Sequence, residues 1–376
     1  MEIKQVYEFV NDAVEEVIGD AAVVSEDLSN VVDVGTAIFN ANAFDAYVRS
    51  LVNHIGKVIF VNRPYRGSAP SVLMDAWEYG SVVEKITSEM PQAVENESWD
   101  LVDGQSYDPH VFHKPVAEAK FFNKMTTFEI EASITEMQVK QSFSSATQLN
   151  AFISMIFNEI EKAMTVRNDA LIMRTINNMI VETAKGANAN RAVNLLSRYN
   201  TQYTETLTAA QAILDPDFIR YAAYQIALYT DRLTRMSTQF NEGGKQRFTP
   251  RDLQHIVMLS EFRAAADVFL QSGTFHDEYT KLVNAETVPF WQGSGTDYAF
   301  ASTSKIMATP ASGGDAQTVN GVLGVIFDRD ALGVMNNNQR VTTQWNAKAE
   351  FTNYFYKKDA RYFNDLNENF VFFYVA

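Results

Sequence analysis

His110 and His113, three residues apart, can approach one metal ion, but a closed site wants four ligands. The chain has five histidines and no cysteine to complete such a set, so no metal site is expected. Gly243-Gly244-Lys245-Gln246 has the look of a phosphate-binding loop, yet it lacks the earlier glycine and the Ser or Thr after the lysine, and it reads as a turn. Gly293-Ser294-Gly295 lacks the residue on each side of Ser that a nucleophile elbow requires. Asp328, Asp330 and Glu278 can be drawn as paired carboxylates for acid and base work; among 46 acidic residues, turn and surface is the better reading. No catalytic residue, cofactor-binding residue or cofactor is therefore expected. The 26 Phe and 16 Tyr read as core and subunit interface.

A chain of 376 residues with 46% hydrophobic content buries a sizeable core in one large domain or two to three interlocked ones. Its formal net charge of −15 argues against a broad basic face for nucleic acid, because phosphate contacts need Lys and Arg. The acids are concentrated early: residues 1–50 hold ten of them against Lys4 and Arg49, a stretch read as a solvated face or as an arm that docks elsewhere. The amino terminus has no basic segment followed by an apolar one, and no apolar run is long enough to span a bilayer. The reading is a soluble, non-exported protein.

The elements follow from spacing. Val6, Phe9, Val10, Ala13, Val14 and Val17, and then Phe44, Val48, Leu51, Val52 and Ile55, recur as on two short helices. Asn62 to Pro70, with two prolines and a glycine, ends them. Gly80 to about Phe143 reads as an extended excursion: out along Val82, Val83, Ile86 and Met90, round a tip at Asp100 to Pro109, and back along Phe128, Ile130, Ala132 and Ile134, which alternate with polar residues. A two-stranded arm cannot bury enough surface alone and should lie against something else. Leu149, Phe152, Ile153, Ile156, Phe157, Ile160, Met164 and Leu171 then mark one helix over 147–185, about 55 Å long at 1.5 Å per residue, stopped by Gly186. Asp215-Pro216-Asp217 caps another helix. It opens a mixed region with a short buried strand at His255 to Leu259 and a helix at Glu261 to Leu270. Val322 to Phe327 is an apolar run, Val341 to Phe351 alternates as one long strand, and Phe370 to Val375 is a terminal strand expected to pair inside a sheet.

This order of elements in an α+β chain resembles the Hong Kong 97-like major capsid proteins of tailed bacteriophages. The residues that carry the likeness are Tyr79-Gly80-Ser81-Val82-Val83-Glu84-Lys85-Ile86, Glu97-Ser98-Trp99 ahead of Asp103-Gly104-Gln105-Ser106, and His113-Lys114-Pro115 with Lys120-Phe121-Phe122. They are similar to the extended-loop region of capsid proteins from phages of Gram-positive bacteria. Ser142-Phe143 leads into the long helix as that family's spine helix is led, and Gly324 to Ala331 and Asp365 to Asn369 are similar to its closing elements.

The resemblance implies an amino-terminal arm (1–78), an extended β-hairpin loop (79–135), a peripheral domain (136–204 and 336–376) holding the spine helix, and an axial domain (205–335). It implies hexamers and pentamers in an icosahedral shell around double-stranded DNA that is enclosed without specific binding. The loop lies over a neighbour, with Trp99, Tyr107, His113, Phe121, Phe122, Phe128 and Ile130 as intersubunit contacts. It also implies a virion protein assembled in the host bacterial cytoplasm with a portal, decoration proteins and, since no long helical leader is present, a separate scaffolding protein or a leader removed earlier. Some relatives crosslink through a lysine; Lys114, Lys120 and Lys124 sit in the loop and read as solvated or interface lysines. Two other readings stand beside this one: an encapsulin-type shell that loads cargo, and a hydrolase with a site in the mixed region.

Overall fold

A computed structural model describes residues 69–74, 83–135, 146–271, 283–293 and 298–376, together with 11, 14, 15 and 46. The two expected helices of the arm, Tyr79 to Val82, Ser142-Phe143, Glu278 and Ser294-Gly295 lie outside the described residues, apart from those single arm positions. Thirteen strands are described: β1 Leu73–Met74, β2 Val83–Ser88, β3 Ala117–Phe122, β4 Met125–Thr135, β5 Ala192–Asn194, β6 Gln254–Leu259, β7 Glu286–Val288, β8 Ile306–Ala308, β9 Gln317–Val319, β10 Val322–Asp328, β11 Leu332–Asn346, β12 Phe351–Asn364 and β13 Phe370–Tyr374. The helices are α1 Ala146–Lys185, α2 Leu195–Tyr203, α3 Ala209–Ala212, α4 Pro216–Leu233, α5 Ser260–Gln271 and α6 Phe300–Thr303. The chain divides into two compact units, Met1–Ala69 with Met125–Ile172 and Met335–Arg361, and Pro70–Lys124 with Met173–Val334 and Tyr362–Ala376.

In the first unit β4 runs antiparallel to β12 from Thr135 opposite Phe351 to Met125 opposite Arg361. The period-two alternation read at Phe128 to Ile134 is therefore a strand, but it is not the return strand of a hairpin. Its backbone is paired by β12, more than two hundred residues away, a pairing that alternation alone cannot reveal. The single long strand expected over Val341 to Phe351 is divided. Asn346 Oδ1 accepts the amides of Lys348 (3.1 Å) and Ala349 (3.2 Å), and Glu350 takes φ 50°, so a side-chain-supported turn separates β11 from β12. Alternation persists across such a turn because the residues on both sides keep their phase.

The second unit is built on a five-stranded sheet of order β5-β13-β10-β6-β7. β10 lies at its centre with every residue buried, which is why its sequence is a continuous apolar run and not an alternating one. β13 is antiparallel to β10 and parallel to β5, so the apolar carboxyl end is paired inside a sheet. The sheet combines β6, β7 and β10, from the stretch expected as axial, with β5 and β13, from stretches expected as peripheral. Gly321 turns the chain into β10 at φ +68°, and a Cβ there would stand 1.9 Å from the carbonyl oxygen of Val375, so only glycine fits.

Around this sheet the helices pack by their apolar stripes. The second unit's part of α1 buries Ile176, Met179 and Ile180, and Asn177 Nδ2 donates to the carbonyl of Trp291 at 2.7 Å. The indole of Trp291, fully buried, donates in turn to the carbonyl of Val322 at 2.9 Å. At 40 residues, α1 is about 60 Å long. α4 begins where Asp215 Oδ1 accepts the amide of Phe218 at 2.8 Å with Pro216 in the first turn, as its sequence requires. Asp215→Ala should lower stability by about 1 kcal/mol, a fall of about 2–4 °C in the thermal midpoint. An unchanged midpoint would mean that packing of Phe218 and Tyr221 alone fixes the helix start.

Candidate intersubunit interface

β2 and β3 form an isolated two-stranded ribbon, Val83 opposite Phe122 through Ser88 opposite Ala117. A hairpin is thus present within the expected stretch, but its return strand is β3. Between its strands, residues 89–116 carry no strand, and every side chain described there is exposed. The two faces of the ribbon are partly inverted relative to an ordinary surface hairpin. Inward point Lys85, Thr87, Glu118 and Lys120, with Val83 and Phe122; outward point Ile86 (68% exposed) and Phe121 (64%), with Ala117, Ala119, Glu84 and Ser88.

The inward face is held by charge. Lys85 and Lys120 stand directly opposite each other across the ribbon, an arrangement that is repulsive by itself. Asp365, 1% exposed, lies between them, 3.0 Å from Lys85 Nζ and 2.9 Å from Lys120 Nζ, and its Oδ1 also accepts the amide of Asn367 at 3.0 Å. Glu368 accepts from Lys85 (2.8 Å) and from Arg247 Nε (3.2 Å). Burial would raise the Asp365 carboxyl, but Lys120, Lys85 and the Asn367 amide outweigh it and hold its pKa below the usual carboxylate range. Burial would likewise lower the Lys85 amine, and Glu368 with Asp365 reverses this and raises it. A second clamp sits farther along the ribbon, where Lys245 reaches Glu118 (2.6 Å) and Glu89 (2.8 Å). Apolar contact is modest: the Phe122 and Phe363 rings lie 5.1 Å apart.

The residues singled out from the sequence distribute unevenly. Trp99 is 98% exposed at the end of a short 3-10 turn, Tyr107 is 42% exposed with its hydroxyl accepting the amide of Val102, and His113 is exposed. Phe121 faces out and Phe122 in, while Phe128 and Ile130 are half-buried in β4, in the other unit. Exposed with the first group are Val94, Leu101, Val102, Val111 and Phe112. His110 and His113 are both exposed, and among the described residues no group of three or more acids and histidines is arranged to hold a metal. Gly243-Gly244 forms a turn tied to Leu366, where Lys245 serves as a clamp, a role its resemblance to a phosphate loop did not suggest. Asp328 is buried and accepts from Thr249 Oγ1 (2.6 Å) and the Asp330 amide (2.9 Å), which makes it a structural turn; burial raises its pKa. Sequence reasoning missed Lys85, Asp365, Glu368 and Arg247 as a cluster, since the members lie up to 283 positions apart.

The profile of the Phi29-like phage major capsid protein matches residues 8–374. The chain belongs to that family. Phi29-like major capsid proteins form the head shell from many copies, so this chain is a structural component of the virion capsid. Solved structures share its fold, among them the following two. A chain of the capsid structure of Staphylococcus phage Andhra is 10% identical with a TM-score of 0.53, over 84% of this chain and 86% of that one. A chain from the structure of head fiber and inner core protein gp22 of native bacteriophage P68 is 8% identical with a TM-score of 0.52, over 81% and 83%. No curated protein matches the chain. The resemblance to phage capsid proteins drawn from the sequence is borne out, and the α+β class with it, while the encapsulin-type and hydrolase readings gain no support. Among the described residues no helix is long and apolar enough to cross a membrane.

Proposed function

We propose that this capsid protein assembles as hexamers and pentamers into an icosahedral shell, and that residues 83–122 are the extended loop, laid over a neighbouring copy. The observation that carries this is the inverted ribbon. Its charged face is already satisfied within the chain, whereas Ile86, Phe121 and the run of exposed apolar side chains from Val94 to Phe112 have no cover among the described residues. An apolar strand pair open to solvent is a liability unless another surface takes it, and covering it couples assembly to burial. In the same reading α1 is the spine, the axial part is residues 205–335 together with β5 and β13 of their shared sheet, and the peripheral part is drawn from the rest of 136–204 and 336–376.

The shell encloses DNA without holding it specifically, in line with the net charge of −15. A separate scaffolding protein, a portal and decoration proteins complete the head in the host cytoplasm, and the chain performs no catalysis. Electron microscopy of the full chain, expressed alone and with its genomic neighbours, tests the shell: closed particles of uniform size are expected, and a small globular oligomer under every condition would overturn it. Replacing residues 92–113 by a short Gly-Ser linker should abolish particles while leaving the thermal midpoint of the unassembled chain within about 2 °C, because the removed side chains make no core contact. Particles forming at the unmodified yield would refute the role of the loop.

A further inference from the structure

At the root of the ribbon, within the second unit, lies a cleft of about 290 Å³ walled by Phe121, Phe122, Tyr362, Phe363 and Leu366. Its size and aromatic walls suit one large flat side chain. The charges around it are mostly positive. Lys124 lines it with no ion pair among the described residues, and the Arg174 guanidinium lies 5.7 Å from the Tyr362 ring centroid. The one carboxylate in the lining, Glu182, is buried and already accepts the amide (2.6 Å) and hydroxyl (2.8 Å) of Ser312.

The loop tip offers the complement. Residues 93–113 carry Glu95, Glu97, Asp100, Asp103 and Asp108 and neither Lys nor Arg. Trp99 is the most exposed large hydrophobic side chain of the described residues, and its short 3-10 turn is fixed by the Ser98 amide on Asn96 Oδ1 at 2.8 Å. A tryptophan presented on an ordered turn loses little freedom on binding, which is what an interface anchor requires.

We propose that Trp99 of one copy seats in the ribbon-root cleft of the adjoining copy, with Asp100 against Lys124. This rests on the reading that the loop covers a neighbour and names the surface it covers. Tip and root are different patches, so the contact is head to tail: each copy gives a tip and receives one, as a closing ring of subunits requires. Fully extended, residues 89–103 span at most about 50 Å, enough to reach beyond the body that carries them.

The test places the photo-crosslinking residue p-benzoylphenylalanine at position 99 in particles assembled from mixed heavy- and normal-isotope chains, and maps the adducts by mass spectrometry. Mixed-isotope adducts to Phe121, Tyr362, Phe363 or Leu366 are expected. Mixed-isotope adducts elsewhere would sink the cleft but keep the loop on a neighbour. Adducts confined to one chain in well-formed particles would sink both. Independently, Asp100→Lys should cut particle yield about tenfold, and adding Lys124→Glu should restore most of it. A double variant as poor as the single one would overturn the pairing, and the thermal midpoint of the unassembled variants separates this from misfolding.

Discussion

Replacing Asp365 by alanine should release the ribbon from the body of the second unit. Two lysines would then face each other across β2 and β3 with their shared counter-charge gone; Lys85 would keep Glu368 and the Asp330 carbonyl at 3.2 Å, while Lys120 would lose its one ion pair among the described residues. Breaking a buried ion cluster by removing its central member costs about 3 kcal/mol or more, because the partners keep their desolvation without compensation. Amide exchange over residues 83–88 and 117–122 should accelerate by about two orders of magnitude, with new protease cleavage in the same stretches. The sheet around β10 should keep its protection. Replacing Lys85, Lys120 and Asp365 together by Met, Met and Leu should recover much of the loss, since the penalty lies in the unmatched charge. Equal exchange in the wild-type and Asp365→Ala chains would show that the Phe122–Phe363 contact and Lys245 suffice to hold the ribbon. Acid should act in the same direction. A carboxyl whose folded pKa is depressed stabilises fully above its unfolded value near 4, and that stabilisation is lost as pH falls through the folded pKa. The attachment is therefore complete at neutral pH and weakens progressively once the pH falls below about 4.

This cluster marks where sequence reading runs out. Local grammar was legible: the three-and-four spacing from Leu149 onward gives α1, Asp215-Pro216 gives the start of α4, and the apolar runs give β6, β10 and β13 within a residue or so. The return strand of the ribbon was not legible, because β3 reads Ala-Glu-Ala-Lys-Phe-Phe, a weaker alternation than that of β4. Strand strength was mistaken for pairing, and pairing is decided by β12, far along the chain. The candidate interface was half legible. Exposed aromatics in the loop could be named from their polar, turn-rich surroundings, as with Trp99 and Tyr107. Phe121 and Phe122, neighbours in sequence, fall on opposite faces with opposite fates, and only the register of the ribbon separates them. Lysines 85 and 120 looked like any surface lysine, since what distinguishes them is a carboxylate some 245 positions or more away.

Lysine 358 should behave as a standing cost to the unassembled subunit. On β12 its neighbours Lys357 and Asp359 face the other side of the sheet and are paired there, Lys357 with Glu129 at 2.9 Å and Asp359 with Arg340 and Thr127. Lys358 shares its face with the buried Tyr356 and Ala360, stands opposite Phe128, is 7% exposed, and has no ion-pair partner among the described residues. Burial lowers its pKa from 10.5 to about 8. The sign follows from proton counting. Below pH 8 the lysine is charged in both folded and unfolded chains and the folded state bears the full desolvation penalty. Between about 8 and 10.5 the folded chain releases the proton while the unfolded chain keeps it, so stability rises with pH by about 3 kcal/mol. Lys358→Met, which keeps the stem and removes the charge, should therefore stabilise the unassembled chain at pH 7 by about 2–3 kcal/mol, and the gain should vanish near pH 10.5. Urea titration of both chains at pH 7 and pH 10.5 decides it. A variant less stable than wild type at pH 7, or a gain that persists unchanged at pH 10.5, would mean that the amine finds a partner in the folded chain and that its charge is not what the sheet opposes.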